Sequence, residues 1–302
     1  MAVRADARAN SPSRDNPDIA SPPIRIELRV LFCPGEPATP AVHETGKIRA
    51  AVRALGLTRR TGRDRVRALI QALRPQDCGL PLVRIGGPGD GGYLVPDDLA
   101  GIEYCFSPGV STVSTFENEL ADRGIRSFLA DASVDAPPIA RPEFVFDKKF
   151  LGTADAGPYM TLASWKNRYL PGYAGDLLLQ MDIEGAEYEV LLTTPAALLD
   201  RFRIILVEFH FLDRMFEPEE FPIIEATFHR LLRFFHVAHI HPNNIGGSVV
   251  LDGIEVPRLL EFTFLNKRRV ARTRPQTVFP HPLDADNGRR RPLALPDCWR
   301  AA

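Results

Sequence analysis

The stretch from Leu177 to Leu191, LLLQMDIEGAEYEVL, narrows the possible folds more than any other. A run of apolar residues stops at Asp182, Glu184 and Gly185 and gives way to helix formers. Continuous apolar runs of this length belong to parallel strands buried on both faces. Acids placed where such a strand stops lie at the carboxyl edge of the sheet, where open α/β sheets bind their ligands. A second run, Ile204 to His210, also ends in polar groups, Glu208 and His210. Residues at i and i+2 of a strand share a face, so Glu208 and His210 are expected side by side, next to Asp182.

Around these two strands the pattern alternates between strand and helix. Pro81–Ile85 and Gly92–Val95 flank a glycine-rich turn and read as a hairpin. Ile102–Phe106, Ile125–Ala130 and Phe144–Phe146 read as strands, and Ser114 with Glu117 forms a capping-box pattern that opens a helix closed by Gly124. A long amphipathic helix spans roughly 221–235, and Val237–Ile240 with Leu260–Leu265 forms a closing antiparallel pair. The expected fold class is α/β: a Rossmann-like, mostly parallel seven-stranded sheet with an antiparallel closing strand and helices on both faces. The expected divisions are a disordered extension over 1–45, a basic helical segment over 46–80, the α/β domain over 81–270 and a Pro/Arg-rich tail over 271–302. Ile24–Leu31 alternates and could add a stray strand. The stretch 47–74 holds nine basic residues against one acid, Asp64, and reads either as a solvated helical face or as a contact for a membrane surface, nucleic acid or an acidic partner.

Totals exclude several function classes. The formal net charge of −1 argues against a dedicated nucleic-acid binder. No apolar run is long enough to span a membrane, and the N-terminal arginines have no apolar segment behind them, so neither a transmembrane segment nor a secretory leader is expected. Cys33, Cys78, Cys105 and Cys298 are scattered, which argues against a disulfide framework or a thiolate zinc site and points to a reducing, cytoplasmic setting.

The glycines of Gly86–Gly92 do not form a dinucleotide fingerprint or a P-loop. The residues after them, Tyr93-Leu-Val-Pro96, are strand-like, and no Gly-Lys-Ser/Thr follows. A turn that needs positive φ is sufficient for them, although Asp90 and Tyr93 could line a site. The better ligand loop is Ser107–Ser114, which follows a strand, precedes a helix and offers Gly109 for close backbone approach. Asp131 ends the next strand, where an acid can accept ribose hydroxyls. A single-glycine loop with a downstream acid suits a ligand with a ribose and no pyrophosphate, such as S-adenosylmethionine.

With these segments in place, the chain resembles the FkbM-type methyltransferases, a group of class I S-adenosylmethionine-dependent enzymes. Met181-Asp-Ile-Glu-Gly-Ala-Glu187 carries the resemblance most strongly, supported in order by Arg84–Val95, Tyr104–Val110, Phe116–Ala121, Thr161–Trp165 and Leu260–Phe264. The resemblance covers roughly 81–270 and implies methylation of a hydroxyl on a sugar, glycan or secondary metabolite acceptor. Ser107, Gly109, Asp131, Asp90 and Asp182 are the expected cofactor contacts. Asp182, Glu208 and His210 are the expected catalytic residues. The same three could hold a divalent metal such as Mg²⁺, or Mn²⁺, Fe²⁺ or Zn²⁺ once the imidazole is counted. His239, His241, Asn243 and Asn244 cluster at the end of the sixth strand. Two other readings stand beside this one: a metal-dependent hydrolase or lyase using the same strand ends, and a non-catalytic protein of this fold that binds a partner.

Overall fold

The computed structural model describes residues 59–300. The 1–45 extension, the possible strand at 24–31 and the start of the basic segment lie outside the described residues.

Every residue of Leu177–Met181 and of Phe202–Phe209 is buried, as an interior parallel strand requires. They are the fourth and fifth of seven strands in one sheet: β1 Tyr104–Pro108, β2 Arg126–Ala130, β3 Phe144–Asp147, β4 Leu177–Met181, β5 Phe202–Phe209, β6 Phe235–Pro242 and β7 Leu260–Asn266. Their spatial order is β6-β7-β5-β4-β1-β2-β3. The pairs β1–β2, β2–β3, β1–β4 and β4–β5 are parallel, whereas β7 runs antiparallel to both β5 and β6. This is the mostly parallel sheet with one antiparallel closing strand that the alternation of elements predicts.

Side-chain alternation sends the two faces into separate cores. Phe106, Leu179, Val207, Phe209 and Phe262 face one side, where α1 Arg63–Ala72, α3 Leu162–Tyr169, α4 Glu187–Thr193 and α5 Phe221–Phe234 supply Leu69, Trp165, Leu191 and Phe228. Cys105, Leu178, Ile204, Leu206 and Leu265 face the other, covered by Phe116 and Leu120 of α2 Thr115–Asp122 and by the antiparallel hairpin Leu82–Ile85/Tyr93–Pro96. Strand order reverses between β1 and β4, so the chain leaves these neighbours in opposite directions and opens a crevice at their carboxyl ends.

Two segments differ from the sequence reading. The helix in the basic segment is part of the domain: Val66, Leu69, Ile70 and Leu73 are buried, and Arg65 pairs with Glu225 while stacking over the Phe221 ring at 4.8 Å. The Pro/Arg-rich segment after residue 270 is likewise no loose tail. Arg274–Pro275 pairs with Gln76–Asp77, Asp284 meets two histidines of β6, and Trp299 is fully buried. Composition missed this because the segment docks through a few separated side chains rather than a periodic apolar face. The helix-opening motif is also used differently. Ser114 makes no side-chain cap, and Glu117 instead takes the Ser107 hydroxyl inside the protein.

The Asp284 anchor is pH-dependent. His239 Nε2 lies 2.8 Å and His241 Nδ1 3.5 Å from Asp284 Oδ1. Burial alone would raise Asp284, but the two imidazoles outweigh it and hold the carboxyl well below its usual range. Burial would lower His241, but Asp284 and Glu261 outweigh it and raise the imidazole. A depressed acid stabilises the fold above its unfolded pKa near 4, and that contribution is lost as pH falls. A raised histidine stabilises it fully below an unfolded pKa near 6.5, and that contribution is lost as pH rises. Asp284→Asn is therefore expected to destabilise the fold by about 1–3 kcal/mol between those limits. Urea unfolding across pH should show the gap to wild type narrowing on both sides of that window.

Candidate active site

The crevice between β1 and β4 is closed to a degree that only glycine permits. Gly109 follows β1 at φ 90°, and a Cβ there would stand 1.5 Å from the Asp182 carbonyl oxygen. The Gly109 N–H donates to the Ala130 carbonyl and the Asp182 N–H to that of Pro108, tying the ends of β2, β1 and β4 together. Beyond Gly109 the loop turns at Ser111 (φ 40°) and enters α2. Asp131 fixes this loop: its Oδ2 accepts from Ser111 N at 2.9 Å, and its Oδ1 accepts from the Ser133 N–H and hydroxyl.

Under the loop lies a cavity of about 130 Å³ lined by Asp90, Tyr93, Gly109, Glu117, Asp182 and Glu184, among others. Four of its lining residues are carboxylates and none is Lys, Arg or His. Glu117 is fully enclosed, and burial raises its carboxyl despite the Ser107 hydroxyl bound to it. Ser107 also contacts Gln180 Oε1 at 2.6 Å, and Gln180 Nε2 donates to the Tyr93 hydroxyl at 3.1 Å. Glu117, Ser107, Gln180 and Tyr93 thus form one continuous buried polar chain beside the cavity. Asp131 does not line this cavity, and neither do Glu208 and His210.

Beside the cavity, the turn after β4 wraps around one carboxylate. Glu187, entirely shielded from solvent, accepts at Oε1 from Ile183 N, Gly185 N and His210 Nδ1, the last at 3.0 Å. That bond aims His210 Nε2 at Glu184 Oε2, 3.3 Å away, and at Asp182 Oδ1, 3.8 Å away. Burial would lower the His210 imidazole, but Glu187, Asp182 and Glu208 outweigh it and raise it to about 9. Burial also pushes Asp182 up to about 7, against the pull of His210. Glu184 (φ 57°) and Phe211 (φ 56°) both adopt the left-handed conformation at this corner. Backbone strain of this kind persists where the surroundings over-determine it and concentrates at functional sites.

Asp182 and His210 thus meet as the sequence reading expects, whereas Glu208 lies close enough to feel their charge but turns its carboxylate to Asn243. Glu208 Oε1 accepts from Asn243 Nδ2 at 2.8 Å, and burial first, then the negative charges of Asp182 and Glu261, raise its carboxyl well above the usual range. β5 ends at Phe209, so the two-residue alternation that would pair Glu208 with His210 has already stopped. Glu184 takes the place assigned to Glu208. His239, His241 and Asn244 engage the C-terminal segment, through Asp284 and through Gly288 and Arg290. Glu117, Glu187 and Gln180 escaped the sequence reading.

Comparison with known proteins adds a family match. Residues 176–236 match the model of the Methyltransferase FkbM domain, which spans β4, the acidic turn, β5 and α5 and supports a methyltransferase. No curated protein matches the chain. Among solved structures it is similar to one described as a fibrillarin/Nop5p complex, at 12% identity and a TM-score of 0.33 over 56% of this chain and 74% of that one, which is too distant to argue from.

Proposed function

We propose that the protein is an S-adenosylmethionine-dependent O-methyltransferase acting on a hydroxyl of a sugar, glycan or secondary metabolite. The observation that carries the cofactor is the cavity under the Gly109 loop, with its four carboxylates and no basic side chain. Such a lining suits a ligand that presents an ammonium and a sulfonium and disfavours a nucleotide phosphate. Gly109 provides the bare backbone that close approach demands. When bound, S-adenosylmethionine supplies a sulfonium methyl group, which passes to the acceptor oxygen as the carbon–sulfur bonding pair returns to sulfur.

The chain's own residues have separable tasks in this reading. Asp90 and Glu117 face the ammonium end. Asp131 Oδ1 already accepts two hydrogen bonds and Oδ2 one, which leaves Oδ2 an acceptor site for a ribose hydroxyl while the acid holds the loop. Asp182 and His210 stand where the acceptor hydroxyl would meet the methyl. The hydroxyl proton leaves into their cluster, and Glu184, the exposed member, passes it to water. Positioning supplies most of the barrier reduction, and a placed base typically adds about 10²–10⁴-fold.

Isothermal titration with S-adenosylmethionine and S-adenosylhomocysteine tests the reading. Both should bind at one site. Asp131→Ala should weaken binding roughly 10–150-fold, the worth of one or two charge-assisted hydrogen bonds. A folded protein that binds neither ligand would overturn the proposal and favour a non-catalytic role for the fold.

A further inference from the structure

We propose that Asp182, Glu184 and His210 form a binding site for a first-row divalent cation, with Glu187 as the residue that positions its imidazole. Its placement next to the transferring methyl rests on the methyltransferase reading; the site itself does not.

Each of the three residues offers one donor atom, and these atoms lie within 4.8 Å of one another, close enough to share one ion. The hydrogen bonding around His210 fixes which nitrogen is offered. Glu187 Oε1 is an acceptor that already takes two backbone N–H groups, so the His210 nitrogen facing it, Nδ1, carries the proton. A neutral imidazole in that tautomer presents its lone pair at Nε2, on the side of Asp182 and Glu184. A carboxylate holding the far N–H is the arrangement that orients metal-bound histidines and raises their basicity.

Asp182 supplies an independent observation. Its Oδ1 is sealed from solvent and accepts no hydrogen bond, although it faces the imidazole. A buried carboxylate oxygen without a donor is costly and calls for a cation or a proton. The backbone bends to complete the set: Glu184 adopts φ 57°, and its carboxylate lies 3.3 Å from Nε2 although the side chain is 86% exposed. That exposure leaves the site an entrance and open positions for water or an acceptor oxygen. Two carboxylates and one imidazole favour Mn²⁺, Fe²⁺ or Zn²⁺ over the all-oxygen preference of Ca²⁺ and Mg²⁺. A cation there would bind the acceptor hydroxyl and lower its pKa, and the proton would leave to water.

The test uses the full chain, stripped with chelator and titrated with Mn²⁺ alone. Loss of the free-ion electron paramagnetic resonance signal measures binding, and electron spin echo modulation detects a coordinated nitrogen. One site of micromolar affinity with imidazole ¹⁴N coupling is expected. His210→Ala should abolish the coupling, and Asp182→Asn and Glu184→Gln should each weaken binding at least tenfold. Glu187→Gln should weaken it roughly 10–100-fold while the coupling persists, which a merely structural role would not produce. Glu208→Gln, whose carboxylate is held by Asn243, should stay within about threefold of wild type, whereas the triad Asp182, Glu208 and His210 would require a large loss. Thermal unfolding of each variant confirms the fold. No Mn²⁺ or Zn²⁺ binding below millimolar concentration, or binding indifferent to both His210→Ala and Asp182→Asn, overturns the proposal. Titration with S-adenosylhomocysteine in the presence of chelator separates the two readings. Binding there without any Mn²⁺ site sinks the cation alone, and a Mn²⁺ site without nucleoside binding sinks the methyltransferase reading alone.

Discussion

Gly109→Ala is expected to abolish S-adenosylhomocysteine binding and to cost the fold about 3 kcal/mol or more. Two penalties combine at this position. At φ 90° an L-residue is strained wherever it sits. The new Cβ would also lie 1.5 Å from the Asp182 carbonyl oxygen and 2.6 Å from its carbon, both backbone atoms with no rotamer to escape into. The ends of β1 and β4 must separate, which breaks the Asp182 N–H bond to Pro108 and distorts the acidic turn that positions Glu187 and His210. Gly124→Ala is the matched control. It has φ 76° but nothing within 4 Å of its Cβ, so it carries the strain alone, about 1–2 kcal/mol. Urea unfolding and calorimetry on the pair separate strain from collision. A Gly109→Ala protein that binds S-adenosylhomocysteine like wild type would show that the crevice is not the cofactor site.

The parts of this site that were legible in the sequence are those fixed by strand physics. A parallel strand buried on both faces is mostly apolar, so the polar groups that close the runs beginning at Leu177 and Ile204 mark the carboxyl edge, and Asp182 and His210 could be named without coordinates. Glu187 and Glu117 could not, because each has an adequate local explanation. An acid at the start of a helix complements its dipole, and an acid three residues after Ser114 completes a capping box. Only the tertiary structure shows Glu187 taking the His210 ring and Glu117 taking the Ser107 hydroxyl. The exchange of Glu208 for Glu184 has a different cause. Alternation holds only while the backbone is extended: β5 ends at Phe209, before His210, and the left-handed residues Glu184 and Phe211 turn the chain just beyond β4 and β5. Strand periodicity thus carries an assignment as far as the sheet edge and stops where the chemistry begins.

The C-terminal segment marks the same boundary in energetic terms, and Trp299→Ala measures it. A solvated tail at residues 271–302 would make this substitution nearly silent, within about 0.5 kcal/mol. In the structure Trp299 is 0% exposed, its ring centroid lies 6.3 Å from that of Phe262, and Nε1 donates to the Glu255 carbonyl at 3.0 Å. The Cys298 carbonyl beside it accepts two bonds from the Arg74 guanidinium, so the segment clasps the chain just after α1 onto the sheet. Removing the indole leaves a large cavity against Phe262 and strands a carbonyl, at a cost of about 3–5 kcal/mol. In a domain of this size that is a fall of roughly 6–20 °C in the unfolding midpoint. Trp299→Phe keeps most of the packing and loses the hydrogen bond, so its cost should be about 1–2 kcal/mol beyond the small change in volume. Trp299 is absent from both the acidic cavity and the His210 cluster, so the folded fraction of Trp299→Ala at low temperature should bind S-adenosylhomocysteine with unchanged affinity. A midpoint within a degree or two of wild type would return residues 271–302 to the status of a tail. A large fall with intact binding would make them part of the domain, and their few apolar anchors the reason a segment so rich in Pro and Arg folds at all.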